Sequence, residues 1–159
     1  MGRLKDLRAI AEKRLAAVEN EEKRNSALVH LYGVSLAAVL VADRRGIDPE
    51  LPAMAAILHD MHAYLSGSYD DHAHKGAVLA EEILAELNAT DPEETKQICS
   101  MIYHHDDKDV IDGPLEEVLK DADVIHHCFH DPSKPVKEKE KQRYNRLIEE
   151  FSLQIGLLP

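Results

Sequence analysis

The sequence is poor in the residues that mark secreted and strand-rich proteins. Its 159 residues include two cysteines, two phenylalanines and no tryptophan. Cys99 and Cys128 lie in apolar segments without a CxxC spacing, which favours reduced core thiols over a disulfide framework. No stretch alternates apolar and polar residues as a half-buried strand does, and β-branched residues are scattered. These absences indicate a cytoplasmic, all-α protein.

Long apolar runs and an excess of positive charge are also missing. The longest apolar run, LAAVLVA at 36–42, is far shorter than the roughly 20 residues that cross a bilayer. The N-terminal MGRLKDLRAI lacks the apolar segment of a signal peptide. With a formal net charge of −11, the chain is not expected to bind a nucleic-acid polymer or a membrane. An acidic protein can still act on a small phosphate ester where cations in its site offset the local charge.

What is present is a series of helical patterns separated by short loops. Apolar residues recur with helical spacing at about 3–22, 26–45, 71–87 and 136–154. Asp-Pro pairs at 48–49 and 91–92 predict the starts of two more helices, and Pro114 predicts the start of another. Residues 1–159 are therefore predicted to form one all-α domain, a helical bundle.

Histidine and aspartate are the residues most able to carry chemistry here, and the chain has ten histidines. The segment AAILHDM at 55–61 ends an apolar helix on His59 and Asp60, two groups that are costly to bury without a partner. A divalent metal ion is a partner that imidazole and carboxylate share. This chemistry suits Fe, Mn, Co, Ni or Zn, and it leaves Mg open. No organic cofactor is indicated.

The order of the other candidate ligands resembles the HD-domain phosphohydrolase superfamily. His30 in ALVHLYGVSLAAVLVA, the pair His59-Asp60 and Asp123 in LKDADVIHH fill the family's His, His-Asp and Asp positions in that order. The resemblance covers about residues 27–127. It implies a single HD domain in which these four residues bind metal.

Two-metal members of the superfamily, including the HD-GYP phosphodiesterases, add a His four residues before a Gly and then a His-His pair. His72 precedes Gly76 by four residues in DHAHKGAV, although His74 competes for the same role. The pair His104-His105 stands in MIYHHDDK. The resemblance therefore extends to one or two divalent ions, with these histidines around the second.

The chain also departs from the HD-GYP proteins, because it lacks the GYP segment and has Ala63 where a Lys usually follows the His-Asp pair. The resemblance thus implies hydrolysis of a small soluble phosphate ester, with nucleotides expected, and not a cyclic-dinucleotide substrate. Asp60 would bridge two ions that activate a water. His62 is a candidate proton donor, for which a surface role fits equally well. Lys75 is a candidate phosphate contact, although a lone Lys at a helix start is more often solvated.

Two other functions fit the same residues. The chain could be a non-catalytic module that holds a ligand or a metal ion. It could also be a di-iron oxygenase, because some HD-fold proteins use such a His/Asp shell to activate oxygen. The amphipathic terminal helices leave room for a homodimer.

Several further polar residues lie near the candidate ligands in the sequence. His126, His127 and His130 are expected either to orient ligands or to be exposed or capping residues. Asp121 is expected to cap a helix or face solvent. Lys108, in the loop after the His pair, is either a phosphate contact or solvated.

Overall fold

The computed structural model describes residues 2–153, which form helices and no strand, so the all-α prediction is confirmed. In chain order the helices are α1 (Arg3–Leu15), α2 (Glu21–Arg44), α3 (Glu50–Leu58), α4 (Met61–Ser66), α5 (His72–Leu87), α6 (Pro92–His104), α7 (Pro114–Phe129) and α8 (Lys141–Glu150). A short 3₁₀ helix, Glu138–Glu140, precedes α8.

Side-chain caps set the starts of α2 and α6. At α6, Asp91 accepts a hydrogen bond from the Glu94 amide while the Glu94 side chain accepts one from the Asp91 amide, which is a capping box. The side chain of Asn20 accepts a hydrogen bond from the Lys23 amide and caps α2. This cap begins α2 earlier than the apolar pattern predicted, and α1 ends at Leu15 instead of running on.

Helix α4 was not among the helices that the sequence predicted. The backbone of Asp60, at φ −107° and ψ 7°, interrupts the helical path after α3. The chain then turns helical again because Met61 and Ala63 bury their side chains, and Gly67 ends α4 with a φ of 71°. The His-Asp pair therefore lies in a break between two helices, inside the protein.

Helix α3 is the central element of the core. Its residues 52–58 are all buried, and α1, α2, α6 and α7 pack against it. Three of these residues are alanines, Ala53, Ala55 and Ala56, whose small side chains let neighbouring helices approach closely. The chain leaves α3 at His59 and Asp60, so both side chains are delivered into the middle of the helical bundle.

Helix α8 is attached to α7 and α2 through a buried carboxylate. Asp121 is completely buried and accepts ion-pair contacts at 2.7 Å from Arg45, 3.0 Å from Arg143 and 3.2 Å from Arg146. The prediction that Asp121 caps a helix or faces solvent is wrong, because three arginines from two other helices enclose it. Buried charges of this kind need their partners, so this network fixes α8 on the bundle.

Helix α2 is the one described helix long and apolar enough to cross a membrane, judged by length and composition alone. Half of its most apolar window is buried inside the fold, and the core helix of a soluble protein meets the same criterion. The finding is weak evidence for a membrane span.

Candidate metal centre

Six buried side chains from separate parts of the chain meet at one point. They come from α2, the break between α3 and α4, the start of α5, the residue after α6, and α7. They are His30, His59, Asp60, His72, His105 and Asp123.

Asp60 divides this cluster in two. Its Oδ2 lies 3.4 Å from Nε2 of His30 and 3.6 Å from Nε2 of His59. Its Oδ1 lies 3.3 Å from Nε2 of His105 and 3.4 Å from Nε2 of His72. Each carboxylate oxygen thus faces a different histidine pair. We call His30, His59 and Asp123 the first set, and His72 and His105 the second set, with Asp60 shared.

Asp123 completes the first set. Its Oδ1 lies 3.5 Å from Nε2 of His30 and 3.7 Å from Nε2 of His59. Oδ1 of Asp123 and Oδ1 of Asp60 are both buried without a hydrogen-bond partner among residues 2–153. A buried carboxylate oxygen without a partner is costly, and a cation would satisfy it. Three groups have ligand atoms close enough to hold an ion: His30, His59 and Asp60; Asp60, His72 and His105; and His30, Asp123 and His127.

Three histidines are oriented by the same local contact. In each, Nδ1 lies within hydrogen-bond distance of the backbone carbonyl three residues earlier. The pairs are His59 with Ala56 at 2.8 Å, His72 with Tyr69 at 3.0 Å and His105 with Ile102 at 2.6 Å. Because a carbonyl only accepts hydrogen bonds, Nδ1 is the donor, and in the neutral ring Nε2 keeps a free lone pair directed into the cluster.

The electrostatic state of the two carboxylates suits metal binding. Burial by itself would raise the pKa of Asp60, but the His59, His105 and His30 rings around it hold the pKa well below its ordinary value. Burial likewise opposes ionisation of Asp123, and the Lys108 ammonium and the nearby imidazoles outweigh it and lower its pKa. Both residues therefore present anionic oxygens to the cluster.

The buried histidines respond to the same surroundings in opposite ways. Burial lowers the pKa of His30 and of His105, which favours the neutral imidazole that can ligate a metal. For His59, burial also acts to lower the pKa, but Asp60 and Asp123 face its ring and the net shift is upward.

His104 lies outside the cluster although the sequence pairs it with His105. Its Nδ1 lies 3.7 Å from Oδ2 of Asp107 and 3.9 Å from Oδ2 of Asp112, and the side chain is partly exposed. Consecutive side chains in a helical turn point about 100° apart, so one member of the pair can face the centre. In the structure, His105 is the member of the pair that faces the centre.

The same reasoning separates His72 from His74. Nδ1 of His74 lies 2.7 Å from Oδ1 of Asp71, and its ring stacks on Tyr103 with centroids 4.0 Å apart. His74 is about half exposed, whereas His72 is buried beside Asp60. The structure therefore brings His72, and not His74, to the second set.

The two candidate catalytic residues His62 and Lys75 do not line the large cavity that opens above the cluster. His62 lies where α4 meets α5, and its Cβ is 4.0 Å from the position that a Cβ on Gly76 would take. Lys75 donates hydrogen bonds to the carbonyl and to the side chain of Asp70 on the surface. Neither residue is placed to contact a substrate at the cluster.

His127 is a further candidate ligand that the sequence did not distinguish from its neighbours. Its Nε2 lies 3.4 Å from Oδ1 of Asp123, and its Nδ1 lies 2.8 Å from Oε1 of Glu140. The four-residue spacing between Asp123 and His127 places both on one face of α7, and this spacing is the signal that could have identified it. His126 is also close, with Nδ1 3.0 Å from Nδ1 of His30.

A cavity of about 810 Å³ opens above the cluster. Its walls include the first turns of α2, Tyr64 and Tyr69, and the segment between α7 and α8, which contributes Lys134, Lys137 and Lys139. Binding pockets for small molecules have volumes of roughly 300–1,000 Å³. The centre is therefore accessible to a ligand of nucleotide size.

A helical fold with a buried His/Asp cluster of this kind could hold divalent metal, and comparison with known proteins identifies the family. The HD domain model matches residues 27–128, so the chain belongs to the HD domain family. It is 26% identical over 149 residues to "Putative phosphohydrolase YueE" of Bacillus subtilis (strain 168), covering 80% of this chain and 84% of that protein. These matches confirm the resemblance seen in the sequence and support hydrolase activity at the level of the superfamily.

The fold has a counterpart among solved structures. The crystal structure of a predicted HD superfamily hydrolase from an uncultured Thermotogales bacterium superposes with a TM-score of 0.60 at 21% identity. The match covers 93% of this chain and 88% of that chain. At this identity the likeness establishes the shared HD fold.

Proposed function

We propose that this protein is a metal-dependent phosphohydrolase that cleaves a phosphate ester of a small soluble molecule, with a nucleotide as the expected substrate. The observation that carries the proposal is Asp60, whose two oxygens face two separate histidine pairs. A carboxylate in this position can bridge two cations, and the proposal is for two divalent ions per chain.

Each residue of the two ligand sets has a proposed role in binding the ions. His30, His59 and Asp123 would hold one ion, His72 and His105 the other, and Asp60 both. Ions bound there would supply Lewis acidity toward a phosphoryl oxygen and lower the pKa of a bound water. The mixed imidazole and carboxylate set favours Mn, Fe, Co, Ni or Zn over Mg, which prefers oxygen ligands.

The cavity supports a phosphorylated substrate with an aromatic part. Lys134 and Lys137 line the cavity of a chain with a net charge of −11, and their ammonium groups, which also contact Asp131 and Glu140, would attract an anion. Tyr69 lines the same cavity and is more than half exposed, so its ring is available for stacking on a base. The lysines fit any phosphate ester, and the tyrosine favours one that carries a base.

A cytoplasmic location belongs to the same proposal. Cys99 and Cys128 are free thiols, and burial raises the pKa of each to about 11. Protonated, unpaired thiols fit a reducing compartment.

The substitution Asp60→Asn tests the proposal. The amide cannot supply two anionic oxygens, so we expect bound metal to fall and phosphate release to drop by about 10³-fold, which several kcal/mol of lost charge stabilisation would produce. Elemental analysis measures the metal, and phosphate release from a nucleotide panel measures activity. His74→Ala is the matched control, because His74 adjoins the site but points away from it.

The outcomes separate the three functions considered. Full activity in Asp60→Asn would contradict a metal hydrolase built on this residue. Metal-loaded protein that binds nucleotides without releasing phosphate would instead be a binding module. Oxygen uptake by the ferrous protein without phosphate release would indicate an oxygenase.

A further inference from the structure

Lys108 is a buried cation that lies behind the candidate metal centre. Its side chain is 1% exposed, and it is not among the residues that line the cavity. The ammonium donates one hydrogen bond of 2.7 Å to Oδ2 of Asp123 and another of 2.7 Å to the backbone carbonyl of His105. One group thus contacts a member of each ligand set.

The contact with Asp123 determines which of its oxygens is available. Lys108 occupies Oδ2, while Oδ1 faces the first set and has no hydrogen-bond partner in the described part of the chain. Turning the carboxylate to offer both oxygens to a cation would break a buried ion pair, and such a break is costly. Asp123 is therefore restricted to one ligand oxygen.

Lys108 is itself held in place from outside the centre. Nε of Arg143, in α8, donates to the Lys108 carbonyl at 2.7 Å, and an Nη atom of Arg143 donates to the Val110 carbonyl at 2.8 Å. The loop that carries the ammonium is thus fixed to α8, so the position of Lys108 is defined by the fold and not by a mobile side chain.

We propose that Lys108 is a positioning residue of the metal centre, which holds Asp123 to a single ligand oxygen and fixes the two ligand sets relative to each other. The inference rests on the proposed function, because it requires divalent ions at the centre. Lys108 then has neither of the roles that the sequence suggested, phosphate contact or solvated side chain, since its side chain is buried away from solvent and away from the cavity. Partners of this kind, which act through a ligand, commonly change metal affinity or activity by about 10–100-fold when removed.

The test compares Lys108→Met with Lys120→Met. Lys120 is also fully buried, and its ammonium donates to the Val110 carbonyl and to Asp112, with no hydrogen bond to either ligand set among residues 2–153. Both substitutions remove a buried ammonium near the same loop. A purely structural effect would therefore appear in both variants.

Three readouts are expected to change in Lys108→Met alone. The visible absorption spectrum of the Co²⁺-loaded protein shifts, because Asp123 can then bind through both oxygens and alter the coordination geometry. The rise in Tm on adding Co²⁺ is larger than in the wild type, since the ion becomes the main compensation for the Asp123 charge. With a nucleotide substrate, kcat falls about 10–100-fold while KM stays within about threefold.

An unchanged Co²⁺ spectrum and kcat in Lys108→Met, or equal changes in Lys120→Met, would overturn the positioning role while leaving the proposed function intact. If the wild-type protein binds no Co²⁺, both the positioning role and the proposed function are overturned. This measurement is made before any variant is tested. If the Met variant does not fold, Lys108→Gln keeps a donor without the charge. A smaller shift in the same direction is expected there, because a neutral donor holds Oδ2 of Asp123 less firmly than an ammonium group does, and no shift at all would overturn the role.

Discussion

The two ligand sets are built in different ways. In the second set, His72 and His105 are each oriented by a backbone carbonyl three residues earlier in the chain. In the first set, His59 has the same kind of contact with Ala56, but His30 lies against His126 and Asp123 is held by Lys108. The second set thus depends on local backbone contacts, whereas two of the three members of the first set depend on long-range packing.

This difference predicts which substitutions disturb the geometry of each ligand set. A local contact depends only on its own helix end, so the second set should tolerate substitutions elsewhere in the bundle. The first set shares its support with α7 and α8, because Arg143 fixes the loop that carries Lys108. Damage to that side of the protein should therefore affect the first set more than the second set, which Lys108 contacts only through the backbone carbonyl of His105.

The largest expected effect comes from removing a ligand of the second set. His105→Ala deletes a ring that lies 3.3 Å from Oδ1 of Asp60, so we expect about one ion fewer per chain and activity lower by about 10³-fold. Elemental analysis and phosphate release measure the two effects.

His104→Ala is the control for this substitution, because the neighbouring ring points toward Asp107. Equal losses of metal and activity in the two variants would contradict the structure, which places His105 in the second set and His104 outside the cluster. A His105→Ala protein that keeps two ions would contradict a separate second set.

A smaller effect is expected from Arg143→Met, which removes support from the first set. Arg143 is buried and binds Glu117 at 2.7 Å and Asp121 at 3.0 Å, and removing one partner of a buried ion pair costs about 3–5 kcal/mol. Urea unfolding followed by far-UV circular dichroism measures the loss. Arg14→Met, which breaks an exposed pair with Glu86, should cost at most about 1 kcal/mol.

The same variant should change how stability depends on pH. Burial acts to raise the pKa of Glu117, but Arg143 outweighs it and the net pKa lies below the ordinary 4.5. A carboxyl with a lowered folded pKa stabilises the fold above pH 4.5, and this stabilisation is lost as the pH falls through the folded value. Unfolding free energies below that pH should therefore fall less steeply in Arg143→Met. An unchanged slope would mean that Glu117 does not titrate against Arg143.

The contrast between local and long-range contacts also explains how much the sequence could predict. Helix starts at Asp91 and Pro114 were predicted because caps and proline act within a few residues. His30, the His59-Asp60 pair and Asp123 were recognised by their order in the chain. Their convergence follows from the fold, and the match of residues 27–128 to the HD domain model supports the assignment.

Other features could not be predicted because they depend on helix phase or on distant partners. An error of one residue at a helix end turns a side chain by about 100°, which is why His104 and His105 could not be separated. Lys108 lies fifteen positions from Asp123, and no local pattern links them. Helix α4 depends on the burial of Met61 and Ala63, which becomes visible only with the whole core in place.

The smallest effect tests the long-range support of His30 through a single methyl group. A Cβ on Gly33 would collide with the imidazole of His126, the ring that faces His30. Ala in place of Gly inside a helix normally stabilises by about 1 kcal/mol, so the sign depends on what it costs to move this ring. Because moving it would break its contact with His30, we expect a net loss of about 1–2 kcal/mol and a shifted Co²⁺ spectrum in Gly33→Ala. Leu36→Ala, at an exposed position of the same helix, should change neither, and a stabilised Gly33→Ala protein with an unaltered spectrum would show that His30 does not need His126.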